Sequence, residues 1–228
     1  MRAAPVSPGR APAAIEFPTY TRGEIVADQV VHGAGLLVAL AATAWVFATL
    51  APGTTARQSS TLAVYCFGLL GMLGASAAYS VAPPGRLKAL LRQLDRAMIF
   101  VMIAGSYTPF AMNALEPGIG LPLCAAIWGL AGLGVGLQVV GIEYRERVWV
   151  ALYLAMGWLL LAVLPAFVAA LSGGVLTLLL TGGAVYTLGS VIHARASMRF
   201  HNALWHAMVL IAAGLHFAAV IAMLGAAA

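Results

Sequence analysis

The stretch Val148–Ala194 reads VWVALYLAMGWLLLAVLPAFVAALSGGVLTLLLTGGAVYTLGSVIHA, 47 residues without a single Asp, Glu, Lys or Arg. One membrane-spanning helix needs about 20 predominantly apolar residues to cross roughly 30 Å of hydrocarbon. The stretch is therefore long enough for two such helices, and Ser172-Gly173-Gly174 predicts the turn between them. Segments such as Leu159–Val163 are apolar on every face, which favours helices over the alternating strands of a β-barrel.

Charge is scarce in the rest of the chain as well. Of its 228 residues, 62% are hydrophobic and 8% are charged, and the mean hydropathy is +0.96. A soluble domain carries about 25% charged residues, so a water-soluble fold is excluded. Five further charge-free segments each have room for one helix: Gln29–Ala56, Gln58–Gly85, Ala97–Leu115, Pro117–Ile142 and Phe200–Ala228. The sequence thus predicts an all-α integral membrane protein, a bundle of seven transmembrane helices. They are expected near residues 30–50, 61–82, 97–114, 119–140, 148–168, 175–193 and 204–224.

Basic residues lie almost entirely on one side of this predicted bundle. With seven spans, the N-terminal segment shares a side with the second–third, fourth–fifth and sixth–seventh connections. That side holds 11 of the 12 Lys and Arg residues, and only Arg57 lies opposite. Because Lys and Arg concentrate in cytoplasmic loops, we expect a cytoplasmic N-terminus and a C-terminus that faces outward. The net charge of +5 then reflects topology and contact with anionic headgroups, and it requires no nucleic-acid partner.

The chain divides into a short tail and one membrane domain. Residues 1–20 contain four prolines among alanines and have no apolar core of the length that a signal peptide requires. This composition predicts a disordered cytoplasmic tail over residues 1–20. The seven-helix domain is expected to occupy residues 21–228.

Polar residues gather at the cytoplasmic ends of four predicted spans. They are His32 in the first span, Ser76 and Ser80 in the second, Asp95 in the third, and Asn202 and His206 in the seventh. Within the second and the seventh span the two members are four positions apart, so each pair projects from one helix face. An ionisable group at membrane depth costs on the order of 3 kcal/mol, which makes these residues candidates for one cytoplasm-facing pocket. His216, about 15 Å deeper along the seventh span, is a further pocket candidate.

Each of these residues also has a purely structural interpretation. Asp95 can cap its helix, because unpaired N–H groups and the helix dipole favour an acidic side chain at an N-terminus. His32 and His206 can be hydrogen-bonded residues at the membrane interface. Ser76 and Ser80 can donate to carbonyl groups of their own helix.

Several short motifs occur between Tyr20 and Val220. They are Tyr20-Thr21-Arg22-Gly23-Glu24, His32-Gly33-Ala34-Gly35, Ser76-Ala77-Ala78-Tyr79, Leu94-Asp95-Arg96, Ala104-Gly105-Ser106-Tyr107-Thr108-Pro109-Phe110, Gly157-Trp158, Tyr186-Thr187-Leu188-Gly189, Trp205-His206 and His216-Phe217. With these motifs the chain resembles the hemolysin III family, the bacterial branch of the progestin and adipoQ receptor superfamily, which is similar to alkaline ceramidases. The resemblance implies a seven-helix, multi-pass protein of the cell membrane, here a bacterial inner membrane.

The resemblance also implies a chemistry. In the superfamily three histidines bind zinc near the cytoplasmic face, one at the end of the second helix and two at the start of the seventh, while a serine and an aspartate assist a zinc-bound water. This sequence retains the last histidine as His206, the serine as Ser76 and the aspartate as Asp95. Ser80 and Asn202 stand where the other two ligands belong. One imidazole with neutral oxygens is a poor ligand set for Zn²⁺, so we expect no bound metal, with zinc at His206 as the alternative.

Three functions are consistent with the sequence. The first is a metal-free protein that binds membrane lipid, or a protein partner, in membrane homeostasis. The second is a zinc-dependent hydrolase of a lipid amide or ester, with Ser76 and Asp95 as its catalytic residues. The third is a pore-forming or transport protein, as the cytolytic family label suggests, although the outer half of the bundle has few ionisable residues apart from His216. Membrane lipids are the expected partners.

Overall fold

The protein is a bundle of α-helices. The computed structural model describes residues 19–141, 146–195 and 197–226, so nearly all of the predicted tail lies outside the described residues. Within those ranges there is no β-strand. The helices are α1 (Arg22–Thr49), α2 (Ala56–Val81), α3 (Arg86–Asn113), α4 (Pro117–Val139), α5 (Glu146–Gly157), α6 (Leu164–Ala170), α7 (Gly173–His193) and α8 (His201–Gly225). The all-α prediction is confirmed.

Among the described residues, six segments are long and apolar enough to cross a membrane: Arg22–Gly53, Ala56–Val81, Pro117–Val139, Arg147–Ala170, Gly173–His193 and His201–Gly225. They correspond to six of the seven predicted spans. The seventh predicted span is α3, whose first turns are basic and whose second half contains Ser106, Tyr107 and Thr108. Tyr107 and Thr108 are buried by neighbouring helices, so α3 does not expose these polar side chains to lipid. The chain is therefore an integral membrane bundle with α3 in its interior.

Small residues bring α2 and α3 into close contact. A Cβ atom added to Gly68 would lie 3.2 Å from the Met102 Cα, and one added to Gly105 would lie 3.3 Å from the Val64 carbonyl oxygen. Because backbones can approach this closely only where side chains are absent, these two glycines set the α2–α3 distance. Helix α3 also packs along α4, while α8 packs along α7 and α1 and so closes the bundle.

The fifth predicted span is interrupted. The sequence predicts one helix over 148–168, whereas the structure has α5, a 3₁₀ segment from Trp158 to Val163, and then α6. Tyr107 of α3 explains how this irregular backbone is tolerated. Its hydroxyl accepts a hydrogen bond from the Leu160 N–H at 2.8 Å and donates to the Gly157 carbonyl at 2.8 Å. Non-helical backbone is tolerated at membrane depth where other protein groups form hydrogen bonds with its N–H and C=O groups. Here the Tyr107 hydroxyl does this for the Leu160 N–H and the Gly157 carbonyl.

Replacing Tyr107 with phenylalanine tests this account of the interruption. Tyr107→Phe removes only the hydroxyl and leaves the Leu160 N–H and the Gly157 carbonyl, both in part-buried contacts, without their partner. We expect the free energy of unfolding in mixed micelles to fall by about 1–3 kcal/mol.

Tyr65→Phe is the matched control. Tyr65 is also buried, but its hydroxyl lies 3.5 Å from the Ala213 carbonyl, at the limit of a hydrogen bond, so its loss is expected to be smaller. Equal losses for the two variants would contradict the role given to Tyr107.

Candidate functional site

One end of the bundle brings together the first turns of α1 and α8, the last turns of α2 and the N-terminal third of α3. Helix α1 begins with a capping box in which the Thr21 hydroxyl accepts from the Glu24 N–H and the Glu24 carboxylate accepts from the Thr21 N–H. The second oxygen of that carboxylate accepts from the Phe200 N–H at 3.0 Å, just before α8. The starts of α1 and α8 are thereby joined at the end predicted to be cytoplasmic.

Asp28, on the second turn of α1, lies at the centre of this region. Its Oδ1 accepts hydrogen bonds from the Asn202 side-chain amide at 3.0 Å and from His206 Nδ1 at 2.6 Å. Its Oδ2 accepts a hydrogen bond from the Ser80 hydroxyl at 2.8 Å. The Asp28 side chain is only 11% exposed, and a buried carboxylate is costly unless its oxygens are paired. Donors from α2 and α8 therefore satisfy an acid that belongs to α1.

A second set of contacts runs from α1 to α3. His32 Nδ1 lies 2.8 Å from the Asp28 carbonyl oxygen, and His32 Nε2 lies 3.0 Å from the Ser76 hydroxyl. The Asp95 carboxylate of α3 lies near the Ser76 hydroxyl. The His32 and His206 rings are 4.2 Å apart. We call the following residues the Asp28 cluster: Asp28, His32, Ser76, Ser80, Asp95, Asn202 and His206.

The cluster contains six of the seven predicted site residues. The exception is His216, whose Nε2 lies 3.2 Å from the Leu179 carbonyl oxygen between α7 and α8 and whose ring packs against Gly182. Ser80 donates across the bundle to Asp28 and not to its own helix. Capping does not explain Asp95, because α3 begins at Arg86, nine positions earlier.

Sequence reasoning missed Asp28. Asp28 immediately precedes the charge-free segment Gln29–Ala56, so its sequence position suggests only a flanking residue of the first span. The available signal was its spacing, since Asp28 lies four positions before His32 and therefore on the same helix face.

The cluster includes a group of residues that could hold a metal ion. Donor atoms of Asp28, His32 and His206 all lie within 4.8 Å of one another, and imidazole and carboxylate groups are ligands for Zn²⁺. The Nδ1 atoms of both histidines already take part in hydrogen bonds. A carbonyl oxygen only accepts, so His32 Nδ1 carries a proton and cannot ligate while it contacts Asp28. His206 Nδ1 likewise faces the carboxylate. Metal binding through either Nδ1 atom would therefore require these hydrogen bonds to be replaced, whereas an Nε2 atom could ligate while its Nδ1 stays hydrogen-bonded.

Comparison with known proteins gives one consistent set of relatives. The family model described as "Haemolysin-III related" matches residues 26–217. The chain is 28% identical over 191 residues to "Hemolysin-3 homolog" of Bacillus subtilis (strain 168), an alignment that covers 84% of this chain and 90% of that protein. It is 29% identical over 188 residues to "Hemolysin-3" of Bacillus cereus, with coverage of 82% and 85%. No solved structure matches the chain.

Removing the charge of Asp28 tests its place at the centre of the cluster. Asp28→Asn replaces one accepting oxygen with an amide group that itself donates, so at least one of the surrounding donors loses its partner. We expect the free energy of unfolding in mixed micelles to fall by about 3 kcal/mol.

Glu116→Gln provides the control, because Glu116 is an exposed acid at the start of α4 that makes no side-chain capping bond. Its substitution should change the same free energy by less than about 0.5 kcal/mol. An Asp28→Asn protein as stable as the wild type would show that the carboxylate does not organise the cluster.

Proposed function

The chain belongs to the haemolysin III-related family, and from this premise we propose that it is a bacterial cell-membrane protein whose Asp28 cluster works without a resident metal ion and receives membrane lipid. The single observation that carries the proposal is the hydrogen bonding of Ser80 and Asn202. These are the two positions at which the family resemblance implies zinc ligands. Both side chains donate to one carboxylate, that of Asp28.

The charge of the cluster supports the same proposal. Three histidine ligands would surround a divalent cation, whereas Ser80 and Asn202 here surround an anion. Neutral donors satisfy a carboxylate and have little affinity for Zn²⁺. A polar network whose members satisfy one another is stable without an added ion.

Lipid is the ligand favoured by the surroundings of the cluster. The exposed arginines at this end of the bundle include Arg86 at the start of α3, and Arg195 and Arg199 between α7 and α8. Basic residues at the cytoplasmic surface attract anionic headgroups. A lipid of the cytoplasmic leaflet would therefore be held next to the cluster.

A metal-dependent lipid hydrolase is the second candidate, favoured by the proximity of the Asp28, His32 and His206 donor atoms. Two imidazoles and one carboxylate resemble catalytic zinc sites that keep a fourth position open. When bound, zinc would supply a Lewis acid for an acyl carbonyl. Ser76 and Asp95 would then orient the substrate or water beside it.

Metal content separates the two candidates. Purified wild-type protein should contain far less than one zinc per chain by elemental analysis. Ser80→His combined with Asn202→His restores three histidines with His206 and should bind about one zinc per chain. The same pair of changes in a His206→Ala background is the control and should bind none. A wild-type protein with one zinc per chain, lost in Asp28→Asn, would contradict the proposal and favour the hydrolase.

Lipid selectivity tests the second half of the proposal. Titration of the detergent-solubilised protein with phosphatidylglycerol, followed by tryptophan fluorescence, should give tighter binding than titration with phosphatidylcholine. Changing Arg86, Arg195 and Arg199 to glutamine should weaken phosphatidylglycerol binding by about 3 kcal/mol, on the order of 100-fold.

The matched control is Arg57→Gln, which removes the basic residue at the opposite end of the bundle. It should leave phosphatidylglycerol binding unchanged. Equal affinity for the two lipids, or an equal effect of Arg57→Gln, would contradict a headgroup site at the cluster end.

A further inference from the structure

We infer that Ser76 is a catalytic nucleophile toward acyl carbonyl groups of membrane lipid, with His32 as its general base, because the Ser76 hydroxyl and the oriented His32 ring meet inside the Asp28 cluster. The inference rests on the metal-free state proposed above, since His32 cannot both ligate a metal and accept the proton of Ser76. It adds a covalent reaction to a site that we propose to bind membrane lipid.

The protonation of His32 follows from its contacts. Nδ1 faces the Asp28 carbonyl oxygen at 2.8 Å, and a carbonyl can only accept, so the proton of the neutral ring lies on Nδ1. Nε2 then presents its lone pair to the Ser76 hydroxyl 3.0 Å away. A nucleophile and a base at this separation have the geometry required for activation of a hydroxyl.

Asp28 completes the arrangement by orienting the base. Its backbone carbonyl holds His32 Nδ1, and its carboxylate Oδ2 lies 3.4 Å from the same atom. That carboxylate is itself fixed by donors from α2 and α8. When His32 accepts a proton, the nearby negative charge stabilises the imidazolium, as the acid of a serine hydrolase triad does.

Other serines in the bundle show that the position of Ser76 is not the usual one. Ser60, Ser106 and Ser190 each donate to a carbonyl of their own helix four residues earlier, at 2.7–3.0 Å. This backbone contact is the ordinary fate of a serine in a helix. Ser76 instead lies between a histidine of α1 and Asp95 of α3.

The reaction balances with water as the only co-reactant. Ser76 Oγ forms a bond to the acyl carbonyl carbon while His32 Nε2 takes the hydroxyl proton. The bond to the lipid alcohol or amine breaks, and that leaving group departs with the proton from His32. Water then attacks the acyl-serine and gives a proton to His32. The fatty acid leaves, and Ser76 Oγ recovers the proton from His32.

A fluorophosphonate probe, which modifies activated serines covalently, tests the inference. The purified full-length protein in detergent, treated with a chelator, should gain one probe adduct, located on Ser76 by peptide mass spectrometry. His32→Gln should slow labelling about 100-fold, because the hydroxyl loses its base. Ser76→Ala should abolish it. Ser190→Ala, which removes a buried serine bonded to its own helix, should label at the wild-type rate.

Several results would overturn the assignment. Folded, zinc-free wild-type protein that does not react, or an adduct that persists in Ser76→Ala, would exclude Ser76 as the nucleophile. Loss of labelling in Asp95→Asn but not in His32→Gln would assign the base to Asp95. Thermal unfolding of each variant distinguishes lost reactivity from lost folding. One zinc per chain with labelling intact in chelator would contradict the proposed metal-free state alone and leave the role of Ser76 standing.

Discussion

Burial of the Asp28 carboxylate where α1, α2 and α8 meet is the constraint on which the rest of the site depends. A carboxylate away from bulk water needs hydrogen-bond donors, and the hydrocarbon around the bundle supplies none. The donors come instead from Ser80 of α2 and from Asn202 and His206 of α8. Rotation of either helix by one residue, about 100°, would turn these donors away from the acid. The carboxylate therefore fixes the register of three helices, and that register places His32 beside Ser76.

The same carboxylate determines what chemistry the site can perform. The family resemblance implies a cation held by neutral imidazoles, whereas this cluster has an anion held by neutral and imidazole donors. In the proposed metal-free state the cluster has no Lewis acid, but its carboxylate can orient a histidine and stabilise that histidine when it is protonated. In the proposed function, the exposed arginines at the same end of the bundle would attract anionic headgroups toward this centre.

Most of the fold could be predicted because each helix that crosses the bilayer requires about 20 consecutive residues without charge, and such segments can be read directly from the sequence. The interruption of the fifth span could not, since it depends on a hydroxyl of Tyr107, which lies about 50 positions away in sequence from the backbone it satisfies. Six residues of the cluster could be identified because polar side chains are rare within membrane spans, and the four-residue spacing placed Ser76 with Ser80 and Asn202 with His206 on one helix face. Asp28 was missed because a charge at the edge of a span has the same sequence signal whether it faces water or points into the bundle. Only the positions of α2 and α8 show that the Asp28 side chain points into the bundle and not toward water.

A double-mutant cycle between Asp28 and Asn202 tests most directly whether the carboxylate organises the cluster. The free energy of unfolding in mixed micelles is measured for the wild type, Asp28→Asn, Asn202→Ala and the double variant. The account predicts a coupling free energy of at least about 1 kcal/mol, whereas a cycle between Asp28 and Ser190, which donates to its own helix, should be additive within about 0.5 kcal/mol. Additive effects in the Asp28–Asn202 cycle would contradict it.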